Sequence, residues 1–234
     1  MAMTDRPELW VAQLGRLPYL EALAIQEELR ARRQADEIPD TLLLLEHPPV
    51  YTKGRRTLPA DLPMGEEWYL TQGIEVRDVD RGGRVTYHGP GQIVGYPIMR
   101  IGDVVEYLRV MERALIQALA DEQVEAQIRD GLTGVWVDER KIGSIGVHVQ
   151  RGVTTHGFAV NVDNDLQPFE WIVPCGIDHV RMTSLYKETG HLDGMSCFRK
   201  RVAWRFAEAY GLRQRIVSLD RLRGTTPAVV SVVA

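Results

Sequence analysis

Apolar positions fall into two kinds of pattern along this chain. "TLLLLEH" (41–47) is a short continuous apolar run, which predicts a strand covered on both faces. "IEVRDVD" (74–80) alternates, and "QIVGYPIM" (92–99) reads as a further strand. Beyond residue 126, "QIRD", "GVWVD", "KIGSIGVHV" and "THGFAVNV" read as strands joined by short polar turns, one of them at Asp138-Glu139-Arg140. Helical spacing predicts three long helices. The first is "YLEALAIQEELRARRQ" after Pro18, with Leu20, Leu23, Ala24 and Leu29 as its buried face. The second is "VVEYLRVMERALIQALADE", with Asp103 as N-cap. The third covers roughly "CFRKRVAWRFAEAYG" and ends at Gly211. Strands cluster and helices stand between or after them, without regular β-α alternation. The expected fold class is therefore α+β, a mixed, mainly antiparallel sheet flanked by helices. No internal repeat or low-complexity linker divides the chain. Residues 1–223 are expected to form one catalytic domain, with 224–234 as a small, apolar C-terminal tail.

Composition narrows the classes. The 234 residues are 44% hydrophobic and 26% charged, ordinary for a globular protein. A net charge of −4 argues against general nucleic-acid binding, which needs a basic footprint. No run is long enough for a transmembrane helix. "MAMTDRPELW" lacks a signal-peptide core, so no membrane role and a cytoplasmic location are expected. Thiols stay reduced there, so the two cysteines, Cys175 and Cys197, are not expected to pair. The chain has neither C-x-x-C nor H-E-x-x-H, and no metal site is expected.

Four stretches stand out as candidate chemistry. "RGGRVTYHGPGQIVGYP" (81–97) holds five glycines and two prolines, with Arg81, Arg84, Thr86, His88 and Gln92 among them. Glycine lets backbone approach a ligand and exposes N–H groups, although two turns flanking a strand would also explain it. It matches no phosphate loop. "KIGSIGVHV" (141–149) sets Lys141 after a charged turn and small residues in a strand, where a ligand or another backbone can come close. "TTHGFAVNV" (154–162) begins with His156 and Gly157, and a hydrogen-bonded structural histidine explains it equally well. "WIVPCGIDHV" (171–180) presents Cys175 between Pro174 and Gly176, at a shaped bend. From the residues alone, Cys175 is either a small buried filler or a functional thiol.

"LLLEHPPVYTKGRR", "RGGRVTYHGPGQ", "KIGSIG", "THGFAVNV" and "PCGI" followed by "TSL", in that order, resemble the lipoyl(octanoyl) transferases across roughly residues 10 to 215. The resemblance implies the biotin/lipoate protein ligase fold. It also implies transfer of an octanoyl group from octanoyl-acyl carrier protein to a lysine of a lipoyl domain, in 2-oxoacid dehydrogenase complexes or the glycine-cleavage H protein. It needs no cofactor. By matching positions it makes Cys175 the thioester nucleophile and Lys141 the residue that lowers the thiol's pKa. The acyl-binding segments would be Arg81, Gly82, Gly83, Arg84, Val85, Thr86, Tyr87 and His88; Ser144, Ile145 and Gly146; and Gly157, Phe158 and Ala159. Ser144 stands where many relatives carry alanine, and His148 where arginine is frequent.

The chemistry fits these residue types. A thioester donor is already activated, so no ATP is required, and covalent catalysis splits the transfer between two protein partners. The nucleophile must be a thiolate, which a nearby ammonium favours. Backbone N–H groups near Gly176 or in the glycine-rich segments would stabilise the oxyanion, with His88 as a further candidate. Glycines 82, 83, 143, 146 and 157 would leave room for the acyl chain, with Ile145 and Val85 lining it. Lys53, Arg55 and Arg56, with Arg81, Arg84 and Arg140 nearby, would form a basic face for an acidic carrier protein. Rival readings are an ATP-dependent lipoate or biotin ligase, a cysteine hydrolase using Cys175 with His88 or His156, and a non-catalytic acyl-binding module.

Overall fold

The computed structural model describes residues 6–174, 180–191 and 194–225. Cys175, the adjacent Gly176 and most of the C-terminal tail lie outside the described residues.

A large sheet runs through the molecule in the order β12-β1-β2-β6-β10-β9-β8-β7. Its strands are β1 (Glu8–Arg16), β2 (Thr41–Glu46), β6 (Gln92–Ile98), β7 (Gln127–Arg129), β8 (Leu132–Val137), β9 (Arg140–Gln150), β10 (Val153–Asn161) and β12 (Arg213–Ile216). A two-residue strand, β11 (Arg181–Met182), pairs in parallel with β9 beside the end of β8 pairing. The inner ladders β2–β6, β6–β10, β10–β9 and β9–β8 are antiparallel, while β1 is parallel to both its neighbours. The mixed, mainly antiparallel α+β expectation therefore holds.

Helices cover both faces, which explains the continuous apolar runs. Along β2, Leu42 and Leu44 face one core with Met111 and Leu115 of α3 (Val104–Ala120) and Phe206 of α6 (Met195–Ala209). Leu43 and Leu45 face a second core with Ala22, Ile25 and Leu29 of α1 (Tyr19–Gln34). β6 and β10 divide their side chains the same way, Ile93 and Phe158 to the first core, Val94 and Ala159 to the second. Asp103 caps α3 as expected, its carboxylate accepting from the Glu106 N–H at 2.8 Å.

A small sheet, β4 (Glu75–Asp78)–β3 (Val50–Lys53)–β5 (Thr86–His88), sits apart with its own core of Tyr51, Tyr69, Ile74, Val85, Tyr87, Phe169 and Ile172. The short helices α2 (Glu66–Thr71), α4 (Gln167–Glu170), α5 (Leu185–Thr189) and α7 (Leu219–Arg223) complete the chain.

One expectation needs correction, and one strand goes unread in the sequence. The buried face of α1 is Tyr19, Ala22, Ile25, Gln26 and Leu29, whereas Leu20 is half exposed and Ala24 faces solvent. The leucines suggested a stripe rotated from the true one, because Tyr19 and Gln26 go inward to reach polar groups of β10. Strand β1 carries too little alternation to read. Leu9 and Val11 point inward, but the register then shifts between Gln13 and Arg16, where Gly15 has φ +68°. Among the described residues no helix is long and apolar enough to cross a membrane.

Candidate active site

The two sheets enclose a cavity of about 370 Å³, within the range of small-molecule sites. Its walls come from the 81–88 segment, β9, β10, the start of α3 and the β7–β8 turn. Thirteen residues expected at the site line it: Arg81, Gly82, Gly83, Arg84, Thr86, His88, Lys141, Ser144, Ile145, Gly146, Gly157, Phe158 and Ala159. Val85 and Tyr87 do not. Strand alternation in 85–88 sends Thr86 and His88 to the cavity and Val85 and Tyr87 to the small-sheet core. The acyl slot therefore does not take Val85 as lining.

Lys141 is almost fully buried, 2% exposed. A buried ammonium needs dipoles in place of water. Its Nζ donates to the Thr133 carbonyl at 3.1 Å and lies 5.3 Å from the centre of the Trp136 ring. Gly134 lies beneath this side chain with φ +131°, and a Cβ there would stand 2.7 Å from Lys141 Cε and 2.6 Å from the Gly143 carbonyl oxygen. A glycine is required by both backbone conformation and space.

The chain on either side of 175–179 is tied to the same walls. Val173 donates its N–H to the Asp61 carbonyl at 3.0 Å, and the Asp61 carboxylate pairs with cavity-lining Arg84. After the segment, β11 sets Met182 opposite Lys141, and Thr183 N–H donates to the Lys141 carbonyl at 3.0 Å. Asn161 Nδ2 donates to the Thr183 carbonyl at 2.9 Å, and Gln92 Nε2 to Asn161 Oδ1 at 2.9 Å. Gln92 Oε1 then accepts from His88 Nδ1 at 2.8 Å, so one hydrogen-bonded chain runs from His88 to the Lys141 strand.

Three buried imidazoles stand at the polar end. Burial, followed by the neighbouring His47, drives His88 down to about 3, and burial takes His47 to about 4. Both rings are neutral at pH 7, each with one N–H. His88 uses its N–H on Gln92, and His47 donates Nδ1–H to the Leu17 carbonyl at 2.7 Å while accepting from Tyr96 OH at 2.7 Å. His88 therefore offers the cavity an acceptor and does not suit the oxyanion-donor role expected for it. His156 adopts φ +56°, uncommon outside glycine. Its N–H is held by Gln26 at 2.7 Å, its Nε2 by Asp80 at 2.7 Å and its Nδ1 by Tyr19 OH at 3.3 Å. Burial lowers His156, and the hydrogen bond from its ring is the main reason Asp80 is held at about 2. Asp80 also meets His148 at 3.4 Å. With every ring nitrogen engaged, His156 is a structural histidine.

Arg81 reaches back to the small sheet, donating to the Thr52 carbonyl at 2.6 Å and hydroxyl at 2.8 Å. The glycines act first on the protein's own packing. A Cβ at Gly157 would meet the Gly95 carbonyl oxygen at 2.2 Å, and one at Gly146 the Gly82 carbonyl oxygen at 2.9 Å. Gly146 and Gly157 are also direct cross-strand partners. The basic face is largely compensated. Lys53 pairs with Glu66 and Asp78, Arg84 with Asp61, and Arg140 with Asp138 and Glu188. Arg55 and Arg56 are exposed, and Arg56 lines the cavity. Cys197 is an exposed free thiol remote from these groups in sequence. Tyr19, Tyr96, Val104, Leu108, the 131–133 turn and Val147 also line the cavity, although nothing in their local pattern marked them as site residues.

Comparison with known proteins agrees with this architecture. The sequence model of the lipoyl protein ligase A/B catalytic domain matches residues 18–207. The octanoyltransferase of Acidobacterium capsulatum is 47% identical over 193 residues, 75% of this chain and 78% of that protein. That of Caldicellulosiruptor saccharolyticus is 42% identical over 221 residues, 92% of this chain and 94% of the relative. Among solved structures, a bi-partite lipoate protein ligase from Thermoplasma acidophilum superposes with a TM-score of 0.74 at 16% identity, covering 93% of this chain and 91% of that one. A lipoate-protein ligase A bound with ATP gives 0.67 at 15% identity, covering 94% and 93%. At such identities the likeness is one of fold.

Two outcomes test the site. Gly134→Ala is expected to fold with a loss of about 1–3 kcal/mol from strain and to dislodge Lys141. Brief labelling with trinitrobenzenesulfonate, mapped by mass spectrometry, should then modify Lys141 in the variant and spare it in the wild type. The second concerns acid. An unfolded histidine takes up a proton near 6.5, whereas folded His88 stays neutral to about 3, so this stability is present above 6.5 and is lost as pH falls toward 3. Urea unfolding of His88→Gln should lose less stability than the wild type between pH 6.5 and pH 4; equal losses would refute the assignment.

Proposed function

We propose, from the premise that the chain belongs to the lipoyl protein ligase A/B catalytic-domain family, that it transfers an octanoyl group from octanoyl-acyl carrier protein to a lysine of a lipoyl domain through a thioester on Cys175. The observation that carries the reading is the Lys141 ammonium, buried on the cavity wall beside the strand into which the chain returns after Cys175. The 42–47% identity to curated octanoyltransferases over three quarters or more of the chain supports the same substrate class.

The Cys175 thiolate attacks the carbonyl carbon of the donor thioester. The tetrahedral oxyanion collapses, the carrier thiolate leaves with a proton, and a new thioester of nearly equal energy remains. Lys141 supplies the positive charge against which a thiolate forms; an unassisted cysteine, with a pKa of ~8.5, is mostly protonated at neutral pH. The acceptor lysine amine then attacks the enzyme thioester, loses a proton, and the amide forms as the Cys175 thiolate is released. Lys141 can move that proton, since the ammonium and amine forms alternate through the cycle. The acyl chain lies against Ile145, Phe158 and Ala159, each buried CH₂ contributing roughly 0.8 kcal/mol. With the histidines neutral and their N–H groups engaged, oxyanion stabilisation falls to backbone N–H groups. Acceptors in this reading are lipoyl domains of 2-oxoacid dehydrogenase complexes and the glycine-cleavage H protein. Residues 1–223 act as one catalytic domain, in the cytoplasm.

Intact mass after mixing with octanoyl-acyl carrier protein tests the reading. One octanoyl adduct is expected, on Cys175, absent from Cys175→Ser and formed at least about a hundredfold more slowly by Lys141→Ala. Octanoate with ATP should give no transfer; if it does, the chain is a ligase. Release of free octanoate without an acceptor would instead identify a hydrolase. For docking, Arg55 is the exposed cation expected to meet an acidic carrier. Arg55→Glu should lower kcat/KM for octanoyl-acyl carrier protein several-fold at low ionic strength, and the gap should close as salt screens it. An unchanged kcat/KM at low salt would remove Arg55 from docking.

A further inference from the structure

Glu112 lies on α3, outside the cavity, and is fully buried. Its Oε1 accepts from the Gly134 N–H at 2.9 Å, and its Oε2 pairs with Arg109 Nη1 at 2.7 Å. The Gly134 N–H and the Thr133 carbonyl belong to one peptide group, and that carbonyl holds Lys141 Nζ at 3.1 Å. Carboxylate, peptide group and ammonium thus stand in line. We propose that Glu112 is a positioning residue for Lys141, acting through the Thr133–Gly134 peptide group.

The physics has two parts. A peptide group is a rigid plane, so fixing its N–H fixes where its carbonyl oxygen points. A carboxylate on the N–H also polarises the amide, moving electron density to the oxygen and strengthening the bond that oxygen accepts, by roughly 10–30% per bond in a low-dielectric interior. Glu112 thereby holds the oxygen that Lys141 Nζ binds without touching the lysine itself. Arg109, 38% exposed, pins the carboxylate's other oxygen. Gly134 is suited to the relay, because any side chain there would collide with Lys141. A helix-to-strand tie alone would predict a loss of stability with no effect on Lys141.

The inference rests on the catalytic role proposed for Lys141, and the experiment separates the two. Single-turnover acylation by octanoyl-acyl carrier protein is measured for wild type, Glu112→Gln and Lys141→Ala, with melting curves and the ¹⁵N resonances of the Gly134 amide and Lys141 Nζ. Gln keeps an oxygen for Gly134 and removes the charge. Expected for Glu112→Gln are a folded protein, acylation about tenfold slower at saturating donor, an unchanged KM, and movement of both resonances. Wild-type acylation by Glu112→Gln beside a crippled Lys141→Ala overturns the inference and leaves the dyad standing. So does slow acylation with the Lys141 resonance unmoved. Wild-type acylation by Lys141→Ala overturns the dyad and the inference together. If Glu112→Gln does not fold, Arg109→Gln replaces it: acylation slower by about two- to threefold supports the relay, and an unchanged rate overturns it.

Discussion

A lysine ammonium taken out of water is the constraint around which this molecule is arranged. Lys141 is the second residue of β9, where three strands meet: β8 on one edge and, on the other, β10 giving way to β11. Each neighbour serves the charge differently. β8 contributes the Thr133 carbonyl and the Trp136 face. β11 returns the chain from the Cys175 segment to Lys141's own backbone. The bulge between Val135 and Trp136 and the glycine at 134 make the space the side chain crosses. Desolvating a cation is costly, so the groups packed around Lys141 must stand in for the water it loses.

The other end of the cavity is built on the opposite principle. His47, His88 and His156 are kept neutral by burial, and each spends its ring N–H on a fixed partner. Tyr19 and Tyr96 remain protonated for the same reason. Several potential charges become a rigid polar scaffold, and the same choice makes the fold sensitive to acid.

How much of this was legible in the sequence depends on whether a residue's role is local. Strand β2 could be read because "TLLLL" is covered on both faces, and α3 because its N-cap is three residues from the N–H it binds. Thirteen of the expected residues line the cavity because the glycine-rich motifs that carry them bring these backbones together. Val85 and Tyr87 face the small-sheet core instead, because a motif has no faces, whereas a strand does. The face of α1 was misread because Gln26 and Tyr19 are buried for polar reasons that only β10 reveals. Glu112 was invisible: in "RVMERALIQ" it looks like one half of an exposed i,i+3 pair with Arg109, and that pair does exist. Only the packing of α3 on β8 turns its other oxygen toward Gly134.

The glycines sharpen what the motifs mean physically. At Gly146 and Gly157 the missing side chains let β9 meet the 81–84 loop and β10 meet β6, backbone to backbone. Gly82, Gly146 and Gly157 also line the cavity, so the missing side chains that permit this close packing also leave its wall low. Backbone held between a sheet on one side and a tied loop on the other is fixed in place before any ligand arrives. This explains why the same short motifs carry both the narrow close packing of the fold and the residues expected to meet the substrate.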